Sequence, residues 1–230
     1  MKTIGLIGGI SWESSAVYYR LINEMVKQRL GGLHSARCVM LSVDFAEIEA
    51  LQRSARWQDA DREMADAAVS LEKAGADCVL ICANTMHKCA PAVEASVHIP
   101  LLHIADAAAH AIQTAGIQTV GLLGTRFTMN EDFYKNRLSE KFGLQVLLPP
   151  APDREIVDSV IFDELVLGKL LSESKKEYQR IIQELAHAGA GGIILGCTEI
   201  GLLVQQGDCT VPLFDTTHLH AAAAVDFALS

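Results

Sequence analysis

Two cysteines stand where a run of apolar residues gives way to polar ones: Cys82 in Ile81-Cys-Ala-Asn-Thr-Met-His87, and Cys197 in Leu195-Gly-Cys-Thr-Glu-Ile200. At the carboxyl end of a strand, loop N–H groups or a helix N-terminus aimed at the sulfur favour the thiolate, and a thiolate can move protons. The competing reading is a small buried filler, because free cysteine is among the most buried residue types. The neighbours Asn84, Thr85, Thr198 and Glu199 add hydrogen-bonding groups of the kind that hold a small polar ligand.

Other chemistries fit the residues less well. Cys78, Cys82, His87 and Cys89 are numerous enough for zinc, but Cys78 falls inside an apolar run and the spacing matches no common structural site, so no metal is expected. Gly5, Gly8 and Gly9 with Asp44 imitate a dinucleotide-binding turn without the G-x-G-x-x-G order that lets backbone approach a pyrophosphate. No G-x-S-x-G nucleophile elbow occurs. His87 adjoins the first motif and His103 ends a strand; both read equally as hydrogen-bonded structural residues.

The elements that must position these residues alternate between short apolar runs and helical stripes. Strands are expected at Thr3–Ile7, Cys38–Val43, Asp77–Ile81, Ile99–His103, Thr119–Leu123, Leu144–Leu148, Gly191–Leu195 and Thr210–Phe214. Val17, Leu21, Ile22, Met25 and Val26 form one helical stripe, and Tyr178, Ile181, Ile182 and Leu185 another. Thr128-Met-Asn-Glu131 and Ser174-Lys-Lys-Glu177 read as capping boxes. Such alternation predicts a parallel α/β fold.

The chain also repeats itself. Thr3-Ile-Gly-Leu-Ile-Gly-Gly9 matches the segment from Thr119, Ala74-Gly-Ala matches that from Ala188, and Ile99-Pro-Leu-Leu102 matches that from Val211, at offsets of 116, 114 and 112. One repeat of half the chain length predicts two similar parallel-sheet half-domains related by a pseudo-twofold, with an active-site cleft between them at the strands' carboxyl ends. The expected division is 1–98 plus 211–230 for a discontinuous first domain and 99–210 for the second. Aligned without gaps, Cys197 falls on Ala83, and Cys82 falls on Gly196. Side chains alternate between the faces of a strand, so Cys82 reaches the place of Cys197 only if its strand bulges or ends there.

Composition narrows the partner. The 230 residues are half hydrophobic, enough for a sizeable core, and carry a net charge of −9 with no basic cluster. That argues against nucleic acid or an anionic membrane and for a small-molecule ligand. No signal sequence or membrane-length apolar run is read, so a cytoplasmic location is expected, where the six cysteines would stay reduced.

Taken together, Cys82-Ala-Asn-Thr-Met-His and Gly196-Cys-Thr-Glu-Ile-Gly-Leu-Leu resemble the paired signatures of the aspartate/glutamate racemase family. Gly8-Gly-Ile-Ser-Trp-Glu-Ser-Ser15, Tyr18-Tyr19 and Leu123-Gly-Thr-Arg-Phe-Thr-Met129 resemble its aspartate-type branch, and the likeness spans essentially the whole chain. The resemblance implies an isomerase that inverts an amino acid's α-carbon, most readily that of aspartate or glutamate, without pyridoxal phosphate or any other cofactor. One thiolate would remove the α-proton and a thiol would return one to the opposite face. Cys197 and Cys82 are the implied catalytic pair, with position 83 the rival for the second place. The implied substrate-binding set is Ile10, Ser11, Gln52, Ala83, Asn84, Thr85, Met86, Thr125, Thr128, Thr198 and Glu199, and a homodimer is implied. Arg20, Arg53 and Arg126 are candidate cations for an acidic side chain, although Val166 occupies a segment, Glu164-Leu-Val-Leu-Gly168, where aspartate-type relatives often carry a basic residue. Two rival functions stay open: a single-thiol decarboxylase or cis-trans isomerase on the same fold, and an amino-acid-binding protein silenced by Ala83.

Overall fold

The computed structural model describes residues 1–230. Seven strands and eleven helices alternate along the chain. In order they are β1 (Ile4–Gly8), α1 (Trp12–Leu30), β2 (Cys38–Ser42), α2 (Phe45–Arg53), α3 (Trp57–Lys73), β3 (Cys78–Ile81), α4 (Ala90–Ser96) and α5 (Ile104–Thr114). There follow β4 (Thr119–Gly124), α6 (Arg126–Asn130), α7 (Asp132–Asn136), β5 (Gln145–Leu147), α8 (Ala151–Asp163), α9 (Ser172–His187), β6 (Ile193–Gly196), α10 (Ile200–Leu203), β7 (Leu213–Asp215) and α11 (Thr216–Leu229).

The strands form two parallel sheets, ordered β2-β1-β3 and β5-β4-β6-β7. The chain divides into two compact units, Met1–Ile104 with His220–Ser230, and Ala105–Leu219. These limits differ from the expected 98/99 and 210/211. Val79 bridges Leu101, which keeps the Ile99–Leu102 segment on the first sheet, and Leu213 pairs with Ile193, which keeps β7 on the second. What departs from each unit is the following helix: nearly all of α5 is grouped with the second unit, and α11 from His220 onward with the first.

In the first unit, strand alternation splits the core. Val79, Ile81 and Ala83 lie in one apolar cluster with Ile48, Met64 and Val93, whereas Cys78, Leu80 and Cys82 lie in another with Tyr18, Ile22 and Val26 of α1 and Ala221, Ala224 and Val225 of α11. Both faces of β3 are thus covered, which is why it reads as a continuous apolar run. In the second unit, Ile193 and Leu195 of β6 pack with the α9 stripe Tyr178, Ile181, Ile182 and Leu185.

Both expected capping boxes are corrected. Helix α6 opens earlier, with Thr125 as N-cap accepting from the Thr128 N–H, and Thr128 lies inside the helix. Helix α9 opens at Ser172, and the Ser174 hydroxyl donates to Glu164 Oε2 at 2.5 Å. A long-range partner took the hydroxyl that the local pattern assigned to the helix end.

Candidate active site

In parallel α/β sheets the strands' carboxyl ends are where ligands sit. In the first unit, β1 ends at Gly8 and Gly9, whose φ of +90° suits glycine, and Ser11 then caps α1 by accepting from the Ser14 N–H at 3.3 Å. The Ser15 hydroxyl accepts from the Gly9 N–H at 2.8 Å and donates to the Ser11 carbonyl at 2.9 Å. Ser14 Oγ donates to the Cys82 carbonyl at 2.9 Å, tying the end of β3 to α1. Four hydrogen bonds thereby fix this short stretch before any ligand arrives.

Beyond β3, a 3-10 turn over Thr85–Cys89 carries the rest of the first motif. Asn84 and Thr85 are buried, and Gln52 Nε2 of α2 lies 3.1 Å from Met86 Sδ. Ile10, Ala83 and Met86 share one apolar cluster, so this end of the unit is lined by apolar side chains with Asn84, Thr85 and Gln52 set among them. Cys82 is fully buried in the opposite cluster, and that burial pushes its thiol far up from the ordinary range.

In the second unit, Cys197 follows β6 directly. Its Sγ donates to Glu199 Oε2 at 3.0 Å, and the same oxygen accepts from Thr198 Oγ1 at 2.6 Å. Burial first, and then the Glu199 carboxylate beside it, raise the Cys197 thiol well above its usual value. Thr125 Oγ1 and Thr128 Oγ1 lie 3.3 Å apart at the start of α6. The half-site therefore holds a protonated thiol whose hydrogen already points at a carboxylate, with two further hydroxyls at the neighbouring strand end.

The strand registers decide which residue of the first unit corresponds to Cys197. Gly5 pairs with Val79 and Gly121 with Ile193, so the repeat that relates Gly5 to Gly121 relates Val79 to Ile193, Ile81 to Leu195, and Ala83 to Cys197. Cys82 instead corresponds to Gly196. Both Ala83 and Cys197 also belong with the odd-numbered core face of their strands.

With this geometry in hand, comparison with known proteins is informative. The Asp/Glu/Hydantoin racemase family model matches residues 7–224. The chain belongs to that family. Among solved structures, a Yersinia pestis protein provisionally named an Asp/Glu racemase is 53% identical over 100% of both chains with a TM-score of 0.95. An aspartate racemase homologue from Pyrococcus horikoshii is 35% identical, again over 100% of both chains, with a TM-score of 0.87. A glutamate racemase from Persephonella marina is 25% identical over 183 residues, 76% of this chain and 68% of that protein.

Within the racemase family frame, the candidate cations are all engaged. Arg20 pairs with Glu24 at 3.4 Å, Arg53 with Glu49, and Arg126 with Asp158 at 3.8 Å. Val166 packs against the apolar cluster of the second unit. The sequence reading missed Ser14 and Ser15 as loop fasteners, although two serines in the first turn of a helix are a visible signal. It also missed His220, buried in the first unit, because nothing in its local sequence marks it.

Glu199→Gln tests the thiol's setting. Removing the carboxylate charge beside Cys197 lowers the thiol's pKa, because a like charge disfavours the thiolate. Alkylation of Cys197, which requires the thiolate, then gains its rising limb at lower pH than in the parent. A pH profile of thiol alkylation followed by mass spectrometry reads the shift; an unchanged or higher limb contradicts it.

Proposed function

We propose that this chain is a cofactor-independent amino-acid racemase acting on aspartate, glutamate or both, with Cys197 as an acid/base. The observation that carries the reading is the Cys197–Glu199–Thr198 arrangement at the carboxyl end of β6, in a chain whose family is that of the Asp/Glu racemases. A neutral thiol is set to give a proton to a carbanion. For abstraction, the S–H proton passes to Glu199 Oε2, and the resulting thiolate takes the α-hydrogen as a proton and leaves the electron pair on carbon. Thr125, Thr128 and Thr198, with Asn84, Thr85 and loop N–H groups, are the proposed donors for the α-carboxylate and its developing charge. Ile10, Ser11, Gln52, Ala83 and Met86 complete the proposed binding set. The reading carries with it a cytoplasmic location and a homodimer.

Cys82 takes a different role in this proposal from the catalytic one expected of it. Its side chain lies among Leu80, Tyr18, Ile22 and Ala224, on the face opposite to Ala83, and a thiol so buried resists ionisation. We assign it to packing. Cys82→Ala is accordingly expected to keep inversion while costing roughly 1 kcal/mol of stability, the value of one methylene-sized buried group. Chiral chromatography of D-aspartate and D-glutamate formed from the L-isomers, beside a urea melt, checks both parts. Loss of inversion with an unchanged melt would restore Cys82 to the catalytic pair, and failure of the parent chain to form either D-isomer would overturn the racemase reading.

A further inference from the structure

We propose that Asp158 of α8 is a positioning residue for the second unit's half-site: its carboxylate fastens the first turn of α6 and so sets the Thr125–Thr128 hydroxyl pair. This rests on the racemase reading above, in which those hydroxyls help to hold the substrate's α-carboxylate. The first amides of a helix have no partner within it and must be held from outside. Thr125, the N-cap of α6, reaches the Thr128 N–H at 3.4 Å, a long bond, and its Oγ1 lies 3.3 Å from Thr128 Oγ1. A hydroxyl that turns toward a substrate oxygen loosens the cap it was making. Asp158 Oδ1 offsets that loss by accepting from the Arg126 N–H at 2.7 Å, a charge-assisted bond from another helix that stays in place when Thr125 turns. The Arg126 guanidinium stands 3.8 Å from Asp158 Oδ2, too far for a hydrogen bond, so the backbone contact carries the tether.

The anchor is itself held. Val157, the residue before Asp158, is buried in the core of the second unit, and its carbonyl accepts the Tyr178 hydroxyl of α9 at 3.0 Å. Earlier on α8, Asp153 takes the Arg180 guanidinium of α9 through both carboxylate oxygens, at 2.6 and 3.3 Å. The turn that Asp158 fastens lies close to the thiol's strand end. Thr128 is fully buried, and a Cβ built on Gly124 or Gly196 would stand 3.2 or 3.3 Å from its side chain, so it rests against the ends of β4 and β6, beside the residue that precedes Cys197. In the first unit, the turn after β1 is fastened from within by Ser11 and Ser15. Residues 125–130 hold no serine, and the fastener comes from α8 instead. Asp158 also borders a cavity of about 360 Å³ with Arg126, Asn130, Arg154 and Ser159. Without the carboxylate, water reaches the Arg126 N–H from that cavity, and the fold survives with a looser turn.

The test compares Asp158→Ala, Asp158→Ser and Asp158→Asn with the parent chain. It reads kcat and KM for D-isomer formed from L-aspartate and L-glutamate, and amide hydrogen exchange over residues 125–130. Alanine removes the acceptor, a serine hydroxyl is too short to reach the amide, and asparagine keeps an oxygen in the same place. The alanine and serine variants are expected to raise KM by about 10-fold or more, the value of one hydrogen bond to a charged group. Their kcat falls less, because a displaced carboxylate clamp weakens the hold on substrate and transition state alike; that retained kcat also marks them as folded. The Arg126 amide exchanges faster in both. Asparagine is expected to restore KM and amide protection together, a rescue that a role in charge alone would not show. A parent-like KM or unchanged amide exchange in the alanine and serine variants overturns the proposal, and so does an asparagine variant as impaired as alanine. A parent chain that forms neither D-isomer fails before any variant is compared and overturns the racemase reading itself.

Discussion

Cys197→Ala is expected to lower inversion by at least about 100-fold, with α-proton exchange lost for the enantiomer that the thiol deprotonates, within the range attributed to a positioned general acid or base. The carboxyl end of β6 offers no substitute for the thiol. Glu199 remains in the variant, but its Oε2 is oriented by Thr198 Oγ1 at 2.6 Å as well as by the thiol, and without the sulfur it has no proton carrier to serve. The fold is expected to survive. Cys197 only borders the apolar cluster of the second unit, and alanine removes one sulfur from it, a loss of about 1 kcal/mol by the burial value of a methylene. Heavy-water exchange followed by NMR, beside a thermal melt, separates the two effects. Inversion equal to the parent's, or unchanged exchange of both enantiomers, would remove Cys197 from the reaction.

Gly9→Ala is expected to be the most destabilising single change at either strand end. Gly9 holds φ at +90°, where an L side chain costs about 1–3 kcal/mol. A Cβ there would also collide with the Val43 carbonyl oxygen and lie 2.6 Å from the Val43 nitrogen. Both obstacles are backbone, and Val43 is itself anchored, its N–H donating to the Gly8 carbonyl at 3.0 Å. The total is roughly 4 kcal/mol or more, the size reserved for a strained backbone combined with overpacking. For a chain of this length that is a fall of about 10 °C in Tm. A scanning calorimetry trace with a shift under about 2 °C would mean that the β1–α1 turn and the Val43 segment part easily. Activity is expected to fall as well, because the same turn sets Ser11 and Ser15.

Much of this architecture is legible in the residues because parallel strands covered on both faces are written as apolar runs. Seven of the runs become strands within a few residues of where hydropathy puts them. The eighth, Ile99–His103, reaches only a bridge at Leu101, and Pro100, which has no N–H to give to a ladder, lies beside it. Unit limits were less readable, since sequence cannot say which sheet a short strand joins; pairing of Leu213 with Ile193 settles that. The correspondence of Ala83 with Cys197 was visible as a repeat, and strand register turns it into a structural relation. The burial of Cys82 against α1 and α11 needed the packing, because its partners lie more than 50 residues away on either side. The same holds for His220, which meets His87 only when α11 packs in the first unit.

The central claim is that this chain breaks and remakes the bond between an amino acid's α-carbon and its hydrogen. The most direct measurement incubates the purified, metal-free protein with L-aspartate and L-glutamate in heavy water, following loss of the α-proton signal by NMR and the D-isomer by chiral chromatography. Exchange accompanied by the D-isomer, with the D-isomer absent in Cys197→Ala, is the predicted result. No exchange with either amino acid, or D-isomer formed undiminished without the Cys197 thiol, would contradict the account.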